Sequence, residues 1–399
     1  MAATAREARA GGLDLLRIAM ALAVLVYHFG FRGGAIGHSG AGHTFPAIDG
    51  VVRYGYLGVP VFFAISGYVI AWSAERGGVW SFARGRFVRI WPTFVLCMTL
   101  TAIVCTLAPA NPYDVTLRQW LANLLIWPQP LGEAFVDGAY WSIVYEMIFY
   151  GWVAIGLLTG VYRRALGAAV AAWLVVIALN ETVLFSSLLR TFMLTDQGGY
   201  FVFGLALRQW HVSRRRGWLA AMGLGPLLGL ICSMRQTGPL EVAYATPFDP
   251  DVVALVVVGG LALVWAAATF RPPALATPAI ALAGATSYPL YLLHQNMGYV
   301  AMSSLAQDVP PALALALVAG AMIALATAFA WAVEPRAQRL VRGLLDEGAR
   351  RLLGWLDGGA AALPGTRGAS LPGARPAGAA AAGRAAGATT AAGRASGGA

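Results

Sequence analysis

The chain has 399 residues, 58% of them hydrophobic and 12% charged, with a formal net charge of +10. An ordinary soluble domain carries about 25% charged residues, so this supply cannot wet a globule of such size. A large soluble enzyme and a disordered chain are both excluded, and an all-α polytopic membrane protein is expected. No lysine occurs, so all 28 basic residues are Arg. In a membrane protein that excess marks cytoplasmic loops, and no nucleic-acid partner is expected.

Ten apolar runs approach the roughly 20 residues a spanning helix needs. They are 13–30, 56–73, 88–108, 140–160, 165–185, 198–210, 217–233, 252–270, 278–302 and 311–333, of which the sixth is the shortest. The first run has no small-residue cleavage site and carries its own charges, so it is expected to remain as a span. With the N-terminus in the cytoplasm, Arg76, Arg84, Arg86, Arg89, Arg163, Arg164 and Arg214–Arg216 fall on inside loops. Asp49, Asp114, Glu133, Asp137, Asp196, Asp249 and Asp308 fall outside. Ten crossings with both termini cytoplasmic satisfy this alternation at every loop.

Three domains are expected: a membrane domain over 1–334, a helix over 335–357 and a tail over 358–399. In the middle segment Leu340, Leu344, Leu345, Leu352 and Leu353 recur at helical spacing among Arg339, Arg342, Arg350 and Arg351. This reads as a basic amphipathic helix on an anionic leaflet. The Ala/Gly-rich tail has little to bury and is expected to be disordered. Cys97, Cys105 and Cys232 sit in apolar runs with neither a disulfide framework nor metal spacing, so no metal site is expected.

Ionisable residues within spans are costly and point to function. Arg17 and His28 are eleven positions apart, about three helical turns, and share a face with Asp14. The rise between them is roughly 16 Å, half a bilayer core, so Arg17 lies near one surface and His28 near or beyond the midplane. Ser66 in the second run, Glu146 one turn below Trp141 and Ser142 in the fourth, and Tyr288, Tyr291 and His294 in the ninth reach similar depths. Arg86 and Arg89 lie three apart at the mouth of the third run, a geometry suited to phosphate. The outer loops 31–55 and 109–139 add His38, His43, Trp120 and Trp127. Their aromatic side chains suit either sugar stacking or an interfacial belt.

Six stretches in this order carry a family resemblance: Leu13-Asp14 through Arg17 to His28; Gly58 to Tyr68 with its Phe-Phe-x-x-Ser-Gly core; and Arg86-x-x-Arg89-Ile-x-Pro92. The others are Trp141-Ser142-x-x-x-Glu146-x-x-Phe149-Tyr150, Ser287-Tyr288-x-x-Tyr291-Leu-x-His294 and Val333-Glu334-Pro335. Together they resemble the integral-membrane acyltransferase family 3, which includes O-acetyltransferases of bacterial surface polysaccharides and macrolide O-acyltransferases. Tyr68 stands where Phe is commoner, and the fused esterase-like domain of some members is not expected here. The resemblance implies an enzyme of the bacterial inner membrane. It would move an acyl group, usually acetyl, from cytoplasmic acyl-CoA to an acceptor hydroxyl, with acyl-CoA a co-substrate and no permanently bound cofactor. Arg86 and Arg89 would meet CoA phosphates, and the acyl arm would run past Arg17. His28 would be the general base, with Glu146 orienting it or binding the acceptor. Ser66 or Tyr291 would support the carbonyl oxygen, and Trp141, Ser142 and His294 would complete the substrate site. An acyl-His intermediate is the competing mechanism. A macrolide or other small-molecule acceptor, and a glycolipid transporter that uses the same polar cavity, are the competing functions.

Overall fold

In the computed structural model the chain is mainly helical over its described part, residues 2–38, 45–108, 113–270 and 272–361, with no strand among those residues. Twelve helices carry the architecture: α1 (Ala2–Tyr27), α2 (Gly58–Ala74), α3 (Val79–Leu107), α4 (Trp141–Leu158), α5 (Leu166–Leu179), α6 (Gly198–Ser213), α7 (Gly217–Tyr244), α8 (Pro250–Thr269), α9 (Pro278–Leu293), α10 (Gln295–Leu305), α11 (Pro311–Ala328) and α12 (Glu334–Ala361). Eight segments are long and apolar enough to cross a membrane, and α9 is a shorter apolar helix. The protein is therefore an all-α polytopic membrane protein, with a helix at each of the ten expected runs. Residues 1–347 form one compact unit.

Helix α2 is apolar all round because protein surrounds it; its span is 78% buried, whereas those of α7 and α11 are 28% and 22% buried. The outer helices keep their apolar side chains toward lipid, where a spanning helix satisfies its own backbone. The centre is the crossing of α2 and α6. A Cβ at Gly204 would overlap the Ala64 carbonyl oxygen, and one at Gly67 would overlap that of Phe201. Glycine at both positions lets the two backbones touch.

Several boundaries differ from the expected runs, α7 running on to Tyr244 among them, and three of the differences bear on the site. The first helix does not end at residue 30; a π-helical turn, His28–Arg32, leads into Gly33–Ala35. Helix α3 begins nine residues before residue 88, at Val79, so Arg84, Arg86 and Arg89 are helical rather than in a loop. The ninth run breaks at His294 into α9 and α10. The break is buried in protein and its amides are satisfied: Asp137 accepts from the Asn296 N–H at 2.8 Å, and Asn296 Nδ2 donates to the Val136 carbonyl at 2.9 Å. Helix α6, at 16 residues, is short because a buried polar segment, Thr195 to Gln197, dips into the protein ahead of it. Helix α12 continues past residue 357 to Ala361; residues 362–399 of the tail lie outside the described residues.

Candidate active site

The bundle encloses a cavity of about 100 Å³ lined by α1, α2, α3, α4 and α9. Arg17, Arg86 and Arg89 line one part of it, Ser66, Glu146 and Tyr150 another, and Ser142 and Tyr291 a third. Long side chains from all five helices converge here. Arg17 pairs with Asp14 at 3.3 Å. Asp14 itself does not line the cavity; it packs on Gly284 of α9, where any Cβ would overlap it. Its part is to position Arg17. Arg86 Nε is buried without a hydrogen-bond acceptor.

Glu146 accepts from the Tyr150 hydroxyl at 3.1 Å, and Ser66 Oγ lies 3.3 Å from that hydroxyl. Among the described residues Glu146 is thus tied to Tyr150 rather than to His28. At the third part of the cavity Ser142 Oγ and Tyr291 Oη are 2.7 Å apart. Tyr291 also donates to the Ala139 carbonyl at 3.1 Å. Trp141, the neighbour of Ser142, points elsewhere: with Trp127, Phe135 and Tyr145 it lines a separate aromatic cavity of about 450 Å³.

Beyond Tyr291 lies a histidine pair. The Tyr291 and His294 rings are 5.6 Å apart, and His294 meets His28 edge-on at 4.8 Å. Both histidines are buried, with exposures of 1% and 8%. His294 Nδ1 is 2.8 Å from the Tyr291 carbonyl. A carbonyl only accepts, so Nδ1 carries the proton and, in the neutral ring, Nε2 holds a lone pair. That Nε2 is buried without a hydrogen-bond partner. His28 Nδ1 bonds the Tyr299 hydroxyl at 2.8 Å, and Arg32 donates to the same hydroxyl at 3.0 Å. Arg32 Nε reaches Tyr244 at 3.2 Å. Outside the spans, burial pushes Asp137 up to about 6 against the pull of the Asn296 and Ala139 N–H groups.

Of the expected residues, Arg17, Arg86, Arg89, Ser66, Glu146, Ser142 and Tyr291 line one cavity, and His28 and His294 form an adjoining pair. Asp14 stands behind Arg17, and Trp141 faces the aromatic cavity. His38 makes a 2.5 Å hydrogen bond with Tyr113, while His43 lies outside the described residues. Sequence reasoning missed Arg32, Tyr299 and Asp137 as supports of the site. Arg32 follows His28 by four but lies past the end of the apolar run, and Tyr299 is 271 positions from His28, so neither was signalled.

Residues 11–332 match a family model described as an acyltransferase domain. A stretch of 107 residues is 29% identical to the acyltransferase MdmB of Streptomyces mycarofaciens. That match covers 25% of this chain and 28% of the relative's length. No solved structure matches.

Proposed function

The chain belongs to the integral-membrane acyltransferase 3 family, and from that membership we propose that it is a membrane-bound O-acyltransferase. The donor is cytoplasmic acyl-CoA, first of all acetyl-CoA, and the acceptor is a hydroxyl of a carbohydrate such as a surface polysaccharide. One observation carries the reading: a single cavity has arginines in its lining and ends at a hydroxyl pair beside two buried histidines. Arg86 and Arg89 take the donor's phosphates, and the unpaired Arg86 Nε is a donor in want of an acceptor. About 100 Å³ is far below the few hundred Å³ of a site that swallows a whole cofactor. Only the slender acyl-bearing arm lies inside.

His28 removes the proton from the acceptor hydroxyl as its oxygen attacks the thioester carbonyl. The carbon–sulfur bond then breaks, the ester forms, and CoA leaves as a thiol that regains a proton. Tyr299, held by Arg32, fixes the His28 ring, while Ser142 and Tyr291 support the carbonyl oxygen. A macrolide or other small-molecule acceptor is the second reading. It is favoured by the aromatic cavity at Trp127 and Trp141, whose size suits one small molecule.

The test is purified protein in a lipid bilayer with acetyl-CoA and candidate acceptors, read as free thiol released and as ester by mass spectrometry. Ester formation by wild type and its loss in His28→Ala support the reading. Equal behaviour of the two proteins, with neither thiol nor ester, overturns it. Ping-pong kinetics with a burst of thiol before acceptor is added identifies an acyl-His route instead of direct transfer.

A further inference from the structure

Two further cavities share no lining residue with the site described above. The first, of about 510 Å³, is basic: Arg163, Arg164 and Arg215 line it. Its one lining carboxylate, Glu75, is already held by Arg208 and by Gln209, the latter at 3.1 Å. The three remaining arginines therefore set the local charge. They come from the α4–α5 and α6–α7 connections, and Glu75 comes from the α2–α3 connection. These are alternate turns of the bundle and so lie at one membrane surface.

The second cavity, of about 490 Å³, is apolar and lies between α4 and α5. The indole N–H groups of its two tryptophans, Trp152 and Trp173, already donate to the Phe192 and Met193 carbonyls at 2.7 and 2.6 Å. The Thr159 hydroxyl is likewise spent on the Ile155 carbonyl at 2.9 Å. The cavity thus presents hydrocarbon only. Along α4 its lining runs from Phe149 to Thr159. Ten residues at 1.5 Å each make roughly 15 Å, the depth of one leaflet of a ~30 Å core.

The two cavities meet. Tyr162 and Leu166 line both, and Tyr162 is anchored by its hydroxyl to the Ala71 carbonyl at 3.2 Å. A cationic pocket at the surface, adjoining a leaflet-deep apolar slot, matches one ligand chemistry: a phosphate head with a hydrocarbon tail. We propose that this is a specific site for one anionic glycerophospholipid, its phosphate among Arg163, Arg164 and Arg215 and one acyl chain in the slot between α4 and α5. A free phosphate would leave the slot empty, and a zwitterionic phospholipid would bring its own cation beside the arginines. The inference stands whether or not the proposed acyl transfer is correct.

The test uses the full chain in nanodiscs of phosphatidylcholine doped with phosphatidylglycerol, then extracted into mild detergent and weighed by native mass spectrometry. About one phosphatidylglycerol per chain is expected to survive, enriched at least about tenfold over its share of the bilayer. Arg163→Gln with Arg164→Gln, or Arg215→Gln alone, should lower that retention by about tenfold. Ala169→Trp, which fills the slot and leaves the arginines in place, should do the same. Retention of the two lipids in proportion to their supply by wild type overturns the proposal and needs no variant. So does retention that none of the variants alters. Displacement of the lipid by millimolar inorganic phosphate, or equal thermal stabilisation by phosphate alone, would make the pocket a phosphate site and also overturn it.

Discussion

The two ring nitrogens of His294 differ: Nδ1–H is spent on the Tyr291 carbonyl and Nε2 is unpaired. His294→Asn keeps a donor near that carbonyl and deletes Nε2. If Nε2 meets substrate or relays a proton, kcat falls by at least about tenfold while the protein still folds; activity within twofold of wild type would make the ring mere packing. His28→Ala should fall further, by about 10²–10⁴-fold in kcat, the range of a lost general base. Arg86 offers a different signature. Its donors act in binding both ground and transition states, so Arg86→Ala should raise KM for the acyl donor about tenfold or more, with kcat nearly unchanged. Initial rates against acyl-CoA concentration separate the two effects, and a fall in kcat alone would remove Arg86 from the donor site.

Helix crossings decide where these side chains stand. Asp14, Arg17 and His28 were legible from helical period alone, because an unbroken 3.6-residue repeat links them. Arg32 was not, since the π-helical turn carries the helix beyond the apolar run that marked its end. Tyr299 was hidden by the break at His294, which redirects the chain before α10. Trp141 was placed with Ser142 by adjacency, yet neighbours on a helix face different ways. The α2–α6 crossing depends on absent side chains, so Gly204→Val should force the backbones apart. A cost of about 1–3 kcal/mol is expected, seen as a lower thermal midpoint in detergent; an unchanged midpoint would mean the helices do not touch there. The break at His294 depends on Asp137. Its folded value of about 6 lies above the ordinary 3.8, so the folded state favours the neutral acid. The stability this adds is fully present below pH 3.8 and is lost as the pH rises through about 6, a change of about 3 kcal/mol. Thermal midpoints of Asp137→Asn should lack that part of the decline. Parallel curves for the two proteins would show that Asp137 does not titrate in this window.

At the scale of the molecule, charge is sorted by end more sharply than composition suggests. The arginines at the end that carries most of the acids are tied down: Arg53 to Asp49 at 3.1 Å, Arg118 to Glu133 at 2.7 Å, Arg190 to Glu181 at 2.9 Å, and Arg32 to Tyr299. Arg235 donates to the Glu181 carbonyl. At the opposite end the turns at Arg163, Arg164 and Arg214–Arg216 bring several cations together with few acids beside them. The positive-inside rule then expects that end to face the cytoplasm. Ten crossings with both termini inside predict a labelling pattern for single cysteines. The native cysteines are buried and so stay silent. Gly50, Gly78, Gly167 and Gly238 have open space where a Cβ would stand, so each accepts a cysteine without strain. In intact cells a membrane-impermeant maleimide should label Gly50→Cys and Gly238→Cys only. Gly78→Cys and Gly167→Cys should react only in inverted vesicles. Full reversal would invert the protein in the membrane and put Arg86 and Arg89 out of reach of cytoplasmic acyl-CoA. A mixed pattern would change the number of crossings, because Gly50 and Gly78 flank α2 and Gly167 and Gly238 are separated by three further crossings.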